Sequence, residues 1–434
     1  MSEGTAESGE WFGHPKGLYV LFFVEMWERF SYYGMRALLV FYMTKHLLFS
    51  QGQASEIYGL YTGLAYFTPF FGGILADRFW GQRKAVMIGG VLMAAGHFAM
   101  AFESLFFPAL GLLVLGNGAF KPNVSTQVGT LYPEGDPRRD SAFSIFYVGI
   151  NLGAFLSPLV CGTLGEVWGW HYGFAVAGVG MMVGLGIYLW GQKYLASDRL
   201  MKRQEQQQTA EEPLTKDDKI RMMILAVVCL FNIAFWAAYE QQGNTLALWA
   251  DEDTDRYLRG WEIPATWFQS VNPFCIFFLT PFVTGFWAWR NRQGQGMGAI
   301  GKMSVGCLLL GLSFLIMVPA AVLYDAHGTP VSMFWLVGSI FVMTLGELYL
   351  SPVGLSLVTK LAPPRLVSMC MGGWFFSQFI GNSLAGYIGS YWDVVAKPHF
   401  FLLLAAMATV SGLCIALYLQ YLKRTEHRKH ILTV

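Results

Sequence analysis

The chain has 434 residues, 54% hydrophobic and 16% aromatic, with only 13% charged and a formal net charge of +1. Soluble domains carry about 25% charged residues, so this composition cannot supply the polar coat of a soluble enzyme. The near-neutral balance, without a basic block, excludes a nucleic-acid binder that tracks phosphates. Its 49 glycines suit helices packed closely in lipid.

In chain order, the first sixteen residues are polar, with Glu3, Glu7 and Glu10, and lack the basic start of a signal peptide. The first apolar segment is therefore expected to remain as a helix. A hydrocarbon core about 30 Å thick needs roughly 20 helical residues. Apolar runs of that length predict spans at 17–44, 54–76, 84–103, 105–128, 140–162 and 171–192, then at 221–250, 264–288, 297–322, 331–360, 365–391 and 397–423. The ten-residue alternation of an outer-membrane barrel is not seen. The expectation is an all-α membrane protein of twelve transmembrane helices. Two pseudo-symmetric six-helix bundles, 1–192 and 221–434, flank a polar linker at 193–220 that is rich in Gln, Glu, Lys and Asp.

Most of the 29 basic residues, among them Arg78, Arg83, Lys84, Arg138, Arg139, Arg290, Arg292, Lys302 and Lys423, share one side of this arrangement. Lys45, Arg256, Arg259 and Lys397 fall on the other. The positive-inside rule then places both termini in the cytoplasm of a cell whose inner membrane holds the protein. The six cysteines lie within apolar stretches at no metal-binding or disulfide-framework spacing and read as small core residues. No metal or cofactor is expected, and a monomer is. His97 and His171 read as satisfied structural residues.

Seven ionisable residues fall inside predicted spans: Glu25, Glu28, Arg29, Arg36, Lys121, Glu240 and Glu347. Each costs about 2.5–3.5 kcal/mol near a helix centre, so such groups pair or line a wet pathway. Glu25, Glu28, Arg29, Tyr32 and Arg36 fall along one stripe of the first helix. Counting rise per residue puts Arg36 and Glu240 at one depth and Lys121 nearer the other side. This predicts an outer Arg36–Glu240 pair and an inner Lys121–Glu347 pair joining the halves, broken in turn during alternating access. Among these seven, four acids face three bases. A buried carboxylate without a basic partner tends to take a proton, which marks the proton as the expected coupling ion. Pro69, Pro158, Pro273 and Pro352 are expected to interrupt helices and permit bending.

Glu25–Gly34 reads EMWERFSYYG and Gly116–Gly129 reads GNGAFKPNVSTQVG. With FYVGINLGAF around Asn151, FWAAYEQQGN around Glu240, FQSVNPFCI around Asn272 and GELYLSPVGLS from Gly346, they resemble the proton-dependent oligopeptide transporter family of the major facilitator superfamily. The resemblance covers nearly the whole chain and includes the superfamily loop GGILADRFWGQRK at Gly72–Lys84, an expected interhelix latch built on Asp77, Arg78 and Arg83. It implies the major facilitator fold and proton-driven uptake of di- and tripeptides. Glu25, Glu28, Arg29 and Lys121 would serve proton coupling, with Glu240 in proton handling and the outer gate. Glu347 would meet the peptide amino end, helped by Asn151 and Asn272, and Arg36 and Lys121 would hold the carboxylate. Tyr32, Tyr33, Tyr66, Trp236 and Trp374 would wall the pocket.

The chemistry of a zwitterion agrees: arginine and lysine answer a carboxylate with charge-assisted bonds, and glutamate answers an ammonium. Two departures stand out. Many bacterial relatives insert two helices between the halves, for which this linker is too short. The histidine that animal relatives carry on the second helix is missing from 54–76. An alternative cargo on the same fold is nitrate or another small anion, for which an acid at Glu347 would be unnecessary. A membrane enzyme is disfavoured, since neither a GxSxG elbow nor an HExxH pair occurs, and a passive channel is disfavoured by paired gates.

Overall fold

The computed structural model describes residues 9–133, 135–195, 215–363 and 366–424. Of the expected linker, 196–214 lies outside them. The chain divides into two compact units, 1–47 with 64–205, and 48–63 with 206–434.

The first unit holds α1 (Lys16–Phe41), the second half of α2 (Gln51–Leu75), α3 (Gln82–Ala99), α4 (Phe106–Thr130), α5 (Arg138–Ser157) and α6 (Trp170–Gly191). Within it α1 packs on α5 and α6, and α3 packs on α4 and α6. The second unit holds the first half of α2, α7 (Lys216–Tyr239), the short α8 (Thr245–Glu252), α9 (Val271–Arg292), α10 (Ala299–His327), α11 (Met333–Leu361), α12 (Val367–Gly389) and α13 (Lys397–Arg424). There α7 packs on α12 and α13, and α10 on α11 and α13. The same pairing pattern thus occurs inside each unit, as duplicated six-helix bundles require. Each of the twelve expected spans overlaps a long helix, and the span 221–250 overlaps both α7 and α8.

Local chemistry explains the helix ends. Thr215 and Asp218 form a reciprocal capping box that starts α7, each backbone N–H donating to the other's side-chain oxygen at 3.1 Å. Gly81, at φ +78°, turns the chain between α2 and α3. On α9, Phe274, Phe278, Phe282 and Phe286 recur every fourth residue and are all exposed, an apolar face suited to acyl chains.

Close approaches set the positions of the polar side chains. A Cβ at Gly153 on α5 would lie 2.2 Å from the Met26 carbonyl, so only glycine lets α5 close on α1 beside Glu25 and Arg29. Gly306 and Gly346 likewise press α10 against α11: a Cβ on either would lie 2.7 Å from the other's carbonyl oxygen.

Three expectations need correction. The span 221–250 is not one helix: α7 stops at Tyr239, Glu240–Gly243 forms a 3-10 turn, and Asn244 (φ −116°, ψ −98°) restarts the chain as α8. Glu240 therefore caps a helix end. Pro273 does not interrupt a helix either; it lies in the first turn of α9, where its missing N–H would have had no helical partner, and Pro69 and Pro352 lie inside the unbroken α2 and α11. His97 is fully buried, yet neither ring nitrogen has a hydrogen-bond partner among the described residues, so it is not the satisfied residue expected. The helix bearing it packs on the apolar, glycine-rich sides of α4 and α6.

The six cysteines are free thiols. In the superfamily loop, Arg83 donates to the Leu195 carbonyl at 2.5 Å, tying the start of α3 to the turn that follows α6.

Candidate functional site

The polar side chains fall into two groups, one in each unit. In the first unit the stripe on α1 is built around Arg29. Its Nε donates to Glu25 Oε1 at 3.1 Å, one helical turn away, and to Glu28 Oε2. All three side chains are buried, with relative exposures of 2%, 0% and 4% for Glu25, Glu28 and Arg29. Each acid spends one oxygen on Arg29; Glu25 Oε2, Glu28 Oε1 and Arg29 Nη2 find no partner among the described residues. Buried polar atoms are nearly always satisfied, and these three exceptions lie in one cluster.

Lys121 of α4 acts electrostatically on both carboxylates. Its ammonium also lies 4.4 Å from the Tyr66 ring centre, a cation–π contact. Pro122, the next residue, lacks the N–H that would bond the Gly118 carbonyl. At that carbonyl α2 approaches closely, for a Cβ on Gly72 would lie 2.0 Å from its oxygen. Tyr66 and Lys121 are thus brought together by a proline and a glycine. Tyr32 sits under the Arg29 guanidinium at 5.4 Å, Tyr33 under that of Arg36 at 5.6 Å, and the two rings meet edge to face at 5.2 Å. Asn151 is buried and donates to the Tyr147 carbonyl of its own helix at 2.9 Å.

In the second unit the centre is Glu347 on α11. Its Oε2 accepts from the Tyr239 hydroxyl at 2.8 Å and from Asn272 Nδ2 at 2.9 Å. Asn272 also reaches the Tyr239 oxygen at 3.1 Å and Thr344 Oγ1 at 3.0 Å. Glu347 is half-buried, so its carboxylate is positioned by three helices without being sealed. Trp236 packs edge to face on Tyr239 at 5.3 Å. Trp374 is fully buried over Gly354, where a Cβ would lie 2.1 Å from the indole, so its contact here is packing.

Sequence reasoning missed Tyr239, which joins the Glu347 carboxylate to Asn272. It directly precedes Glu240 in the FWAAYEQQGN motif, and a lone tyrosine in an apolar run reads as packing. A second omission is the buried polar lattice after Glu240. There Ser55 donates to Asn244 at 2.8 Å, Thr245 to Gln241 at 2.9 Å, and Gln241 to the Ala385 carbonyl at 2.8 Å. Neutral amides and hydroxyls carry no composition signal, and only the fold gathers them.

Comparison with known proteins accords with these groups. The PTR2 profile of the POT family matches residues 83–203 and 193–402, two stretches that meet in the linker. The chain is 35% identical to the peptide transporter YePEPT of Yersinia enterocolitica subsp. palearctica serotype O:3 (strain YE-P4), with 90% of each chain covered. It is 31% identical to the di-/tripeptide transporter of Lactococcus lactis subsp. cremoris, over 95% of this chain and 96% of that one. A crystal structure of peptide transporter POT in complex with sulfate superposes with a TM-score of 0.88 at 34% identity, covering 95% and 96% of the two chains. Twelve long helices among the described residues, the duplicated packing and full-length similarity together place this chain in the POT family of membrane transporters.

Proposed function

We propose that the protein takes up di- and tripeptides with protons by alternating access, with both termini cytoplasmic. The observation that carries this reading is the pair of oppositely biased groups. One unit presents Lys121 and Arg36 on aromatic rings, and the other presents Glu347 held by Tyr239 and Asn272. A peptide carboxylate would go to the cations and its ammonium to Glu347; Asn151 would pair with the peptide amide, and Tyr32, Tyr33, Tyr66 and Trp236 would provide adaptable walls, with Trp374 packed behind them.

Charge counting then links substrate to proton. Glu25 and Glu28 share Arg29, and Lys121 balances the second negative charge. When Lys121 turns to a peptide carboxylate, one acid loses its compensation. Proton uptake on an orphan oxygen, Glu25 Oε2 or Glu28 Oε1, restores neutrality in the low-dielectric interior. Glu240 would contribute proton handling at the outer gate with Arg36, and the inner closure would use Lys121 and Glu347.

Dipeptide uptake into proteoliposomes, with and without an inward proton gradient, tests the reading. Gradient-stimulated accumulation, competed by unlabelled dipeptide and not by nitrate, is expected. Uptake indifferent to the gradient would remove the coupling argument, and competition by nitrate alone would replace the peptide.

A further inference from the structure

One cavity of the second unit has a lining that does not include Glu347. It measures about 940 Å³ and opens at the ends of α9, α10, α11 and α13. Four cations line it, Arg290, Lys302, Lys360 and Lys423, and among the described residues the lining contains no aspartate or glutamate. Among the described residues none of the four has a carboxylate partner.

Three of these cations are explained by their helices. Arg290, Lys360 and Lys423 stand in the last turns of α9, α11 and α13, where positive charge complements the partial negative end. Lys302 is not. It occupies the first turn of α10, the positive end of that helix, where a cation is unfavourable. That turn has neither a side-chain cap nor an acidic residue, so its free backbone amides add to the positive field where Gly298 and Ala299 line the cavity. Lys302 stacks 3.9 Å from the Trp287 ring centre, and the buried Trp287 Nε1 donor has no partner among the described residues. Four cations without a carboxylate partner among the described residues, one of them at a positive helix end, thus face the same cavity as uncapped amides, beside an N–H that has no partner there.

The surroundings narrow the choice. A second cavity of about 270 Å³ adjoins, sharing Trp287, Arg290, Met297 and Lys302 and extending along Phe286, Val305 and Tyr349. Its wall is mostly apolar, and Phe286 is exposed on the face that α9 presents to lipid. We propose that the larger cavity binds a phosphate group and that, because of this apolar annex, the ligand is the headgroup of an anionic phospholipid with an acyl chain along α9. Basic pockets at the ends of membrane helices suit such headgroups.

The test is native mass spectrometry of the full-length, detergent-purified protein with phosphatidylglycerol, phosphatidylcholine or inorganic phosphate. The proposal expects phosphatidylglycerol to be retained over phosphatidylcholine. Retention should fall roughly tenfold or more in Lys302→Gln/Lys360→Gln, return in Lys302→Arg/Lys360→Arg, and stay unchanged in Lys216→Gln/Lys219→Gln, whose side chains lie outside the cavity. Gel filtration of each variant separates loss of the site from loss of the fold. Equal retention in the wild type and Lys302→Gln/Lys360→Gln would overturn the site. Displacement of phosphatidylglycerol by millimolar inorganic phosphate would overturn the lipid assignment in favour of free phosphate.

Discussion

Arg29 answers two carboxylates with one charge, and the proposed coupling assigns the second negative charge to Lys121. Lys121→Ala is expected to abolish gradient-driven dipeptide uptake, while Lys121→Arg, which keeps the charge, should retain peptide binding; equal uptake by the alanine variant and the wild type would discard the role. At the other group, Glu347→Gln removes a full charge from a charge-assisted contact worth about 1.5–3 kcal/mol, a loss of roughly 10- to 150-fold in peptide affinity. Tyr239→Phe removes only a hydroxyl that orients the acid and should cost about 1 kcal/mol, near fivefold. Dipeptide binding to the purified variants checks the order, and a tyrosine effect as large as that of the acid would contradict it.

At the scale of the helix, glycines let the carriers of these polar residues approach one another closely. Gly346 precedes Glu347, and its closeness to Gly306 fixes the face that α11 turns towards Tyr239. Gly346→Leu would force α10 and α11 apart at an expected cost of about 1–3 kcal/mol, visible as a lower melting temperature in detergent. Because the carboxylate is displaced with its helix, peptide binding should weaken as well. A variant with unaltered melting and binding would show that the contact is not needed. The break after Tyr239 has a similar consequence: ending α7 there places Glu240 in a tight turn beside the Ser55–Asn244–Gln241 lattice.

For the whole molecule, the charge bias along the chain predicts which loops face which compartment. A cysteine in place of Arg259 should react with an impermeant thiol reagent on intact cells, whereas one in place of Lys216 should react only after the membrane is opened. Equal labelling of both would overturn the orientation. The six native thiols, all buried or half-buried, set a low background for this measurement.

The sequence by itself determined the membrane class, the twelve spans and the stripe on the first helix, because hydropathy and the 3.6-residue period are local properties written directly in residue order. It also marked Glu25, Glu28 and Arg29, since three charges within five residues of an apolar run are costly in a membrane and must pair or meet water. Tertiary structure alone decided that Tyr239 and Asn272 converge on Glu347, that His97 lacks a partner, and that Lys302 meets Lys360 and Lys423 around one cavity. These facts depend on side chains distant in sequence coming within a few ångströms, which helix packing sets and periodicity does not encode.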